Sequence, residues 1–265
     1  MTGCSERAIL IPSSLTMESR DLRVNTLKVG SIARAAAVFR VDRIVIYKDK
    51  EFDDSRFISM ILRYMDTPQY LRKMLIPRRE ELRHVGMLPP LRTAHHPVNS
   101  MTSALKIGEY RVGAVVESVG SDGSAWVEIG VDRPIPLRTD KKYPVGQRLN
   151  IRIFSRNPLA AEPVDRKEIP QYWGYETEVV DSLENYLGTL EAPVLLTSRK
   201  GKVVTPELLG ELGQKRDLAV VFGSPAYGVD AFLSKAAVDR YCMINTIPHQ
   251  GTETVRVEEA VFATL

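Results

Sequence analysis

Three apolar runs late in the chain each end in a loop of small, hydroxylated or turn-forming residues: APVLLTSRKG (192–201), LAVVFGSPAYG (218–228) and CMINTIPHQG (242–251). Loops at the carboxyl ends of strands present unpaired backbone N–H and C=O groups, and in α/β sheets that edge is the usual ligand crevice. If the three strands are parallel, their loops gather on one edge and enclose one pocket. Gly223 and Gly228 let the backbone approach a ligand closely, and Pro225 stiffens the turn between them. In the last loop Pro248 and Gly251 bracket a turn, the one fixing φ and the other allowing φ > 0. Thr252 and Thr254 can each cap the helix that follows; neither completes a capping box, because Val255 and Val257 stand three residues on. Strand–turn–helix connections that bind nothing share this pattern. Neither GxGxxG nor GxxxxGK[ST] occurs in these loops, which argues against a Rossmann dinucleotide site and a P-loop.

Other chemistry-bearing types are sparse. The two cysteines, Cys4 and Cys242, form no CxxC, which excludes a disulfide framework and a structural zinc site. Adjacent His95 and His96 have no carboxylate or third histidine close in sequence, so they read as linker residues and no metal is expected. The 265 residues carry a net charge of +3, permissive for nucleic acid but not diagnostic of it. No apolar run reaches transmembrane length and no signal-peptide core is visible, so a cytoplasmic protein without a membrane partner is expected.

The elements that must position the loops follow from periodicity. RAILIP (7–12) and RIVIYK (43–48) read as buried strands, and helical runs start near Glu18 and cover 55–65. The first helix carries Leu22, Thr26, Val29, Ala33 and Ala36 on one face, with Arg20, Arg23, Lys28 and Arg34 opposite and Arg40 just beyond. That basic row is either an RNA contact or a solvated face. Gly30 within the helix costs roughly 1 kcal/mol against Ala, which points to a close approach there. Residues 68–77 form a further helix between two prolines. Strand–helix–strand–helix order predicts an α/β sheet with covered faces.

From Tyr110 the chain turns β-branched and alternating, with a Ser-Asp-Gly hairpin signal at 121–123 and a strand at 147–155. Short strands without a helix predict a small barrel, and small barrels serve as binding modules, spacers or dimer props. Arg111, Arg133, Arg138, Lys141, Lys142 and Arg152 concentrate charge there, beside Tyr143 and Phe154. TEVVDSLENYLG (177–188) reads as an amphipathic helix ended by Gly188, PELLGEL (206–212) as a helix with Pro206 at N1, and VDAFLSKA (229–236) as helical.

Several stretches carry one resemblance: VGSIARAAAVFRVDRIVIYKD, TPQYLRKMLIP, LPPLRTAHHP and NTIPHQGTETVRVEEA are similar to a family of RNA methyltransferases in the SPOUT superfamily. The GAVVESV…DGSAWVEIG stretch is similar to OB-fold RNA-binding modules, and the family carries such an insertion. The resemblance implies a trefoil-knotted α/β domain formed by residues 1–92 and 165–265, with an OB-like barrel inserted at 93–164. It implies a homodimer that methylates RNA, with ribosomal RNA and uridine N3 the expected target. S-adenosylmethionine would be held by Thr197 and Ser198, by Phe222, Gly223, Ser224, Pro225 and Gly228, and by Ile244, Asn245, Thr246, Ile247, Pro248, Gln250, Gly251, Thr252 and Val255. Phe222, Ile244, Ile247 and Val255 would line the adenine slot. Arg199 and Arg256 are the candidate catalytic residues, since a guanidinium stays protonated and can bond a carbonyl gaining negative charge. Each arginine serves equally as a phosphate contact or in an ion pair, and His249 is a weaker candidate proton acceptor. A non-catalytic RNA-binding assembly factor keeping the fold is the rival reading.

Overall fold

The structure is a computed structural model that describes residues 6–119, 124–215 and 217–265. The hairpin expected at 121–123 lies outside the described residues. In chain order the elements are β1 (Arg7–Pro12), α1 (Leu22–Val38), β2 (Arg43–Tyr47), α2 (Ser55–Asp66) and α3 (Gln69–Leu75). Then come β3 (Tyr110–Val119), β4 (Ser124–Glu128), β5 (Ile135–Leu137), β6 (Arg148–Arg156) and β7 (Leu159–Pro163). The chain closes with β8 (Glu176–Val180), α4 (Leu183–Leu187), β9 (Val194–Val203), α5 (Pro206–Gly213), β10 (Leu218–Val221), α6 (Lys235–Arg240), β11 (Cys242–Asn245) and α7 (Val257–Thr264). Two compact units result, one from Met1–Met65, Glu80–Pro89 and Tyr175–Leu265, the other from Asp66–Arg79 and Pro90–Gly174.

The first unit is built on a six-stranded sheet of order β11-β9-β10-β1-β2-β8, every pair parallel. Its inner strands are apolar almost throughout, as burial on both faces requires; Ile9, Leu10, Ile11, Ile44, Val45 and Ile46 are sealed from solvent. α1 starts at Leu22, because the Asp21 carboxylate caps it by accepting from the Arg23 N–H at 2.7 Å. Thr26, Val29, Ile32, Ala33 and Ala36 form its buried face. Leu88 packs where a Cβ on Gly30 would stand, which accounts for a glycine in mid-helix.

Two expectations fail here. Residues 176–180 form the edge strand β8 rather than a helix: Thr177, Val179 and Val180 are β-branched, and β2 offers an open ladder. Only 183–187 is helical, capped by the Ser182 hydroxyl, and Gly188 ends it in an ordinary right-handed conformation. The stretch 229–236 is broken, a short 3-10 turn at 229–232 giving way to α6, because the Ser234 hydroxyl accepts from the Ala237 N–H and restarts the helix.

The second unit is a closed five-stranded barrel of order β3-β4-β5-β7-β6. Val115, Val127, Ile135, Leu137, Ile151 and Ile153 fill it, while Val112, Ala114, Leu71 of α3, Ile169 and Trp173 pack together as a separate apolar cluster. His95 is fully buried rather than loose in a linker, and a carboxylate does reach it. The Asp66 carboxylate lies 3.1 Å from His95 Nε2 and 2.8 Å from an Arg148 guanidinium nitrogen. Backbone oxygen of Asp66 is 3.0 Å from Nε2 of both His95 and His96. Gly174 (φ +77°) closes the cluster, since any Cβ there would collide with Asp66 and His95. Among the described residues no group of three or more His, Cys, Asp or Glu could hold a metal, and no helix is long and apolar enough to cross a membrane.

This cluster sets a pH dependence. Burial opposes the Asp66 charge, but the His95 hydrogen bond and Arg148 outweigh it and hold its pKa at about 2. Burial, reinforced by His95, pushes His96 down to about 4. Both folded values lie below the unfolded ones, about 3.9 for Asp and 6.5 for His. Stability is therefore fully present above pH ~6.5 and is lost as pH falls, first through His96 and then through Asp66. Urea unfolding of wild type should weaken between pH 6.5 and 4 by up to ~3 kcal/mol. His96→Asn should flatten that stretch of the profile.

Candidate functional site

The site starts with a break in one ladder. β11 pairs with β9 at Cys242–Leu195 and Met243–Leu196, then resumes at Ile244–Lys202 and Asn245–Val203. The β10–β9 pairing also stops at Leu196. Residues 197–201 are thus left out of both ladders at the carboxyl edge of the sheet. Two bonds pin them: the Thr197 hydroxyl donates to the Val221 carbonyl at 2.8 Å, and the Asn245 amide donates to the Arg199 carbonyl at 3.1 Å. At Gly201 the chain returns against the Ile244 backbone so closely that no Cβ fits.

The second wall follows β10. Phe222 is buried, its N–H donating to the Leu10 carbonyl at 2.9 Å and its carbonyl accepting from the Tyr47 hydroxyl. Burial, with Asp49 nearby, raises the Tyr47 pKa well above the phenol range, so that bond keeps its proton. Gly223 is needed, but for the loop itself: the space of its Cβ is crowded by the Tyr227 carbonyl and the Val229 N–H. The Ser224 hydroxyl accepts from the Tyr227 N–H at 2.9 Å and closes the turn.

The third wall is the segment from β11 to α7. Its left-handed residue is His249 (φ 57°), not Gly251, whose missing Cβ would meet open space. The Gln250 amide donates to the carbonyls of Thr252 and Glu253, and the Arg199 guanidinium donates to the same Glu253 carbonyl at 3.0 Å. The helix cap falls at Arg256, two residues beyond the later threonine, and the Glu259 carboxylate reaches back to accept from the Arg256 N–H at 3.0 Å.

Together the three walls enclose a cavity of about 530 Å³. Thr197, Ser198, Phe222, Gly223, Ser224, Pro225, Gly228, Asn245, Thr246, Ile247, Gln250 and Val255 line it, and so does Arg199. Ile244, Pro248, Gly251, Thr252 and Arg256 do not; Ile244 is buried, and the other four are exposed. Sequence reasoning missed Lys200, Ala226, Tyr227, Asp230, Ala231, Glu253 and Thr254, together with Val257 and Ala260 of α7. Tyr227 had a signal, lying inside the FGSPAYG loop, and Val257 and Ala260 share a helix face at i, i+3. The volume is that of a small-molecule site. Apolar Phe222, Ile247, Val255 and Val257 suit an aromatic base, while hydroxyls, Lys200 and Asp230 (3.6 Å apart) suit a charged amino-acid end. This donor set fits S-adenosylmethionine.

The basic candidates divide. Arg20, Arg23 and Arg40 are exposed on the first unit and Arg34 is half-buried. Lys28 is 6% exposed and paired with Glu18, because it lies on the packed side of α1 rather than the solvent side. On the barrel, Arg133, Arg138, Lys141 and Lys142 are exposed, Arg138 lying over the Phe154 ring at 5.3 Å. Arg152 is paired with Glu162. Arg111 is fully buried, bonded to Glu109 at 2.8 Å and to the Asn99 and Ile129 carbonyls. Lys28 and Arg111 are structural residues, closed to a ligand.

A family model described as "Putative RNA methyltransferase" matches residues 6–265. An uncharacterized protein of Haloarcula marismortui is 37% identical over 97% of this chain and 96% of its own length. A second, from Halobacterium salinarum, is 37% identical over 98% and 97%. The 28S rRNA (uridine-N(3))-methyltransferase of Homo sapiens is 27% identical over 97% of this chain and 76% of that protein.

If the ladder break shapes the cavity, Gly201→Ala should lower the unfolding free energy, and with it the urea midpoint, by the ~1–3 kcal/mol in free energy typical of overpacking, and Gly251→Ala should leave both unchanged. Equal midpoints for the two variants would mean that the approach to Ile244 is not structurally required.

Proposed function

The chain belongs to the RNA methyltransferase family just matched, and we propose that it transfers a methyl group from S-adenosylmethionine to N3 of a uridine in ribosomal RNA. The observation that carries this reading is the convergence of three loops of a parallel sheet on one cavity of cofactor size. The name of the human relative supports the uridine-N3 assignment. When bound, S-adenosylmethionine supplies an electrophilic methyl on a sulfonium. The chain's own residues do the rest. Phe222, Ile247 and Val255 offer the base an apolar slot, and the ladder-free segment 197–200 offers backbone and hydroxyl groups. Arg199 borders the cavity, where a guanidinium can bond a uracil carbonyl as negative charge develops on it. Arg256 lies outside the lining and is better placed for a phosphate contact. The return of α7 onto α1 in a parallel sheet ordered β11-β9-β10 supports a SPOUT-type threaded C-terminal segment.

RNA is held, in this reading, by the exposed arginines at the start of α1 and by Arg133, Arg138, Lys141 and Lys142 of the barrel. A homodimer is supported by an uncovered apolar stripe on α1, where Val24, Leu27 and Val38 are 38%, 44% and 51% exposed, extended by Phe262 of α7.

Calorimetry should show one S-adenosylmethionine site per chain. Incubation with unmodified large-subunit ribosomal RNA should yield 3-methyluridine on nucleoside analysis, with RNA affinity falling as salt rises. Absence of cofactor binding would defeat the assignment; a different methylated nucleoside would defeat only its uridine-N3 part. Sedimentation should give a dimer that Leu27→Glu dissociates, and a monomeric wild type at micromolar concentration would refute the dimer.

A further inference from the structure

The loop after β2 is built with more care than a connection needs. Ser13, Ser14 and Thr16 are fully buried at the end of β1, and each bonds to it. The Ser14 hydroxyl donates to Asp49 at 2.6 Å, and the Thr16 hydroxyl donates to Asp54 at 2.6 Å. The Ser13 hydroxyl accepts from the Asp49 N–H and donates to the Phe52 carbonyl. Within the loop, Asp49 accepts from the Glu51 N–H at 3.0 Å. The result holds Glu51, an exposed carboxylate, at one place. There its Oε2 accepts a hydrogen bond of 3.0 Å from the hydroxyl of Tyr227, which lines the cavity.

We propose that Tyr227 and Glu51 form the proton outlet of the methyl transfer, the phenol receiving the N3 proton of the acceptor uracil while handing its own to the carboxylate. The inference rests on the uridine-N3 reading above. N3 of uracil carries a weakly acidic imide proton that must leave as the N–CH3 bond forms. In this step the N3 proton passes to the Tyr227 oxygen and the former Tyr227 proton passes to Glu51. The electron pair freed on N3 makes the bond to the methyl carbon, and the pair of the broken S–C bond stays on sulfur. Exposed Glu51 then releases its proton to solvent. Of the carboxylates that line the cavity, Asp230 faces Lys200.

The charged groups facing the Tyr227 hydroxyl are Glu51 and, farther off, Asp49, with Lys200, Arg199 and Asp230 elsewhere around the cavity. The Glu51 bond, followed by its charge, raises the Tyr227 pKa, so Tyr227 rests as the phenol, the state a relay requires.

The test uses the intact protein with large-subunit ribosomal RNA from cells lacking it. In single turnover at saturating RNA and cofactor, Tyr227→Phe should lose about 100-fold near neutral pH, the low end for a positioned acid–base group. Glu51→Gln should lose activity in the same way. Both losses should shrink as pH rises and the imide ionises unaided. A full rate in either variant, or an equal loss at every pH, would overturn the relay. An independent readout needs no cofactor: NMR titration of ring-labelled tyrosines, with the Tyr227 signal assigned by its absence in Tyr227→Phe. Glu51→Gln should shift that titration to lower pH, and an unmoved titration would overturn the pairing. If the wild type methylates a position other than N3, the reaction assignment fails first and takes the relay with it.

Discussion

A parallel sheet normally consumes the backbone groups of its inner strands, and a strand paired on both sides has none to offer a ligand. β9 lies between β10 and β11, so its carboxyl end would be closed to chemistry if both ladders ran on. The jump of register from Leu196 to Lys202 against two consecutive residues of β11 removes five residues from pairing at that point. Everything on this edge depends on the jump. Thr197 and Asn245 anchor the released segment at its two sides, and Gly201 lets it rejoin the ladder where only a bare backbone fits against Ile244. Arg199, carried outward by the same segment, bonds the Glu253 carbonyl and so joins the first wall to the third. One irregularity thus supplies cavity, lining and closure.

The second unit solves a different problem with similar means. Asp66 is a buried carboxylate, and a buried charge persists only when paired and hydrogen-bonded. His95 and Arg148 share its two oxygens, while the histidine pair meets its backbone carbonyl. Removing one partner would leave an uncompensated charge, which usually costs more than the intact pair contributes. The cluster draws together positions near 66, 95, 148 and 174, segments far apart in sequence.

Much of the α/β unit was legible because buried parallel strands are written as apolar runs and their loops as turn residues. β1, β2, β9, β10 and β11 all fall where those runs lie. The misses have definite causes. The stretch 176–180 shares its apolar residues between a period of two and one of 3.6, and the open edge of β2 decided for the strand. Lys28 and Arg111 were read by residue type, yet a long cationic side chain can be buried where a carboxylate nearer the surface meets its charge, here Glu18 and Glu109. Gly251 was credited with the left-handed turn by its type, while His249 takes it. The ladder break at 197–201 had no local signal, since it depends on how β11, more than forty residues later, aligns with β9. Glu51 was invisible for the same reason: its role depends on a tyrosine 176 residues away.

The position of that pair follows from strand order. Carboxyl ends of parallel strands share one edge, so the loops after β10 and β2 are separated by β1 alone. The β1 loop therefore has to fill the gap without covering the cavity. It does so with hydroxyl groups turned inward onto Asp49 and Asp54, which fix the β2 loop. A charged or bulky residue at Ser13 or Ser14 would have no room, and an apolar one would leave Asp49 short of a partner in a dry environment. The sheet thus places the three loops of the cavity on one side of its edge and an acid–base group on the other. Tyr227 is the side chain that spans the distance between them.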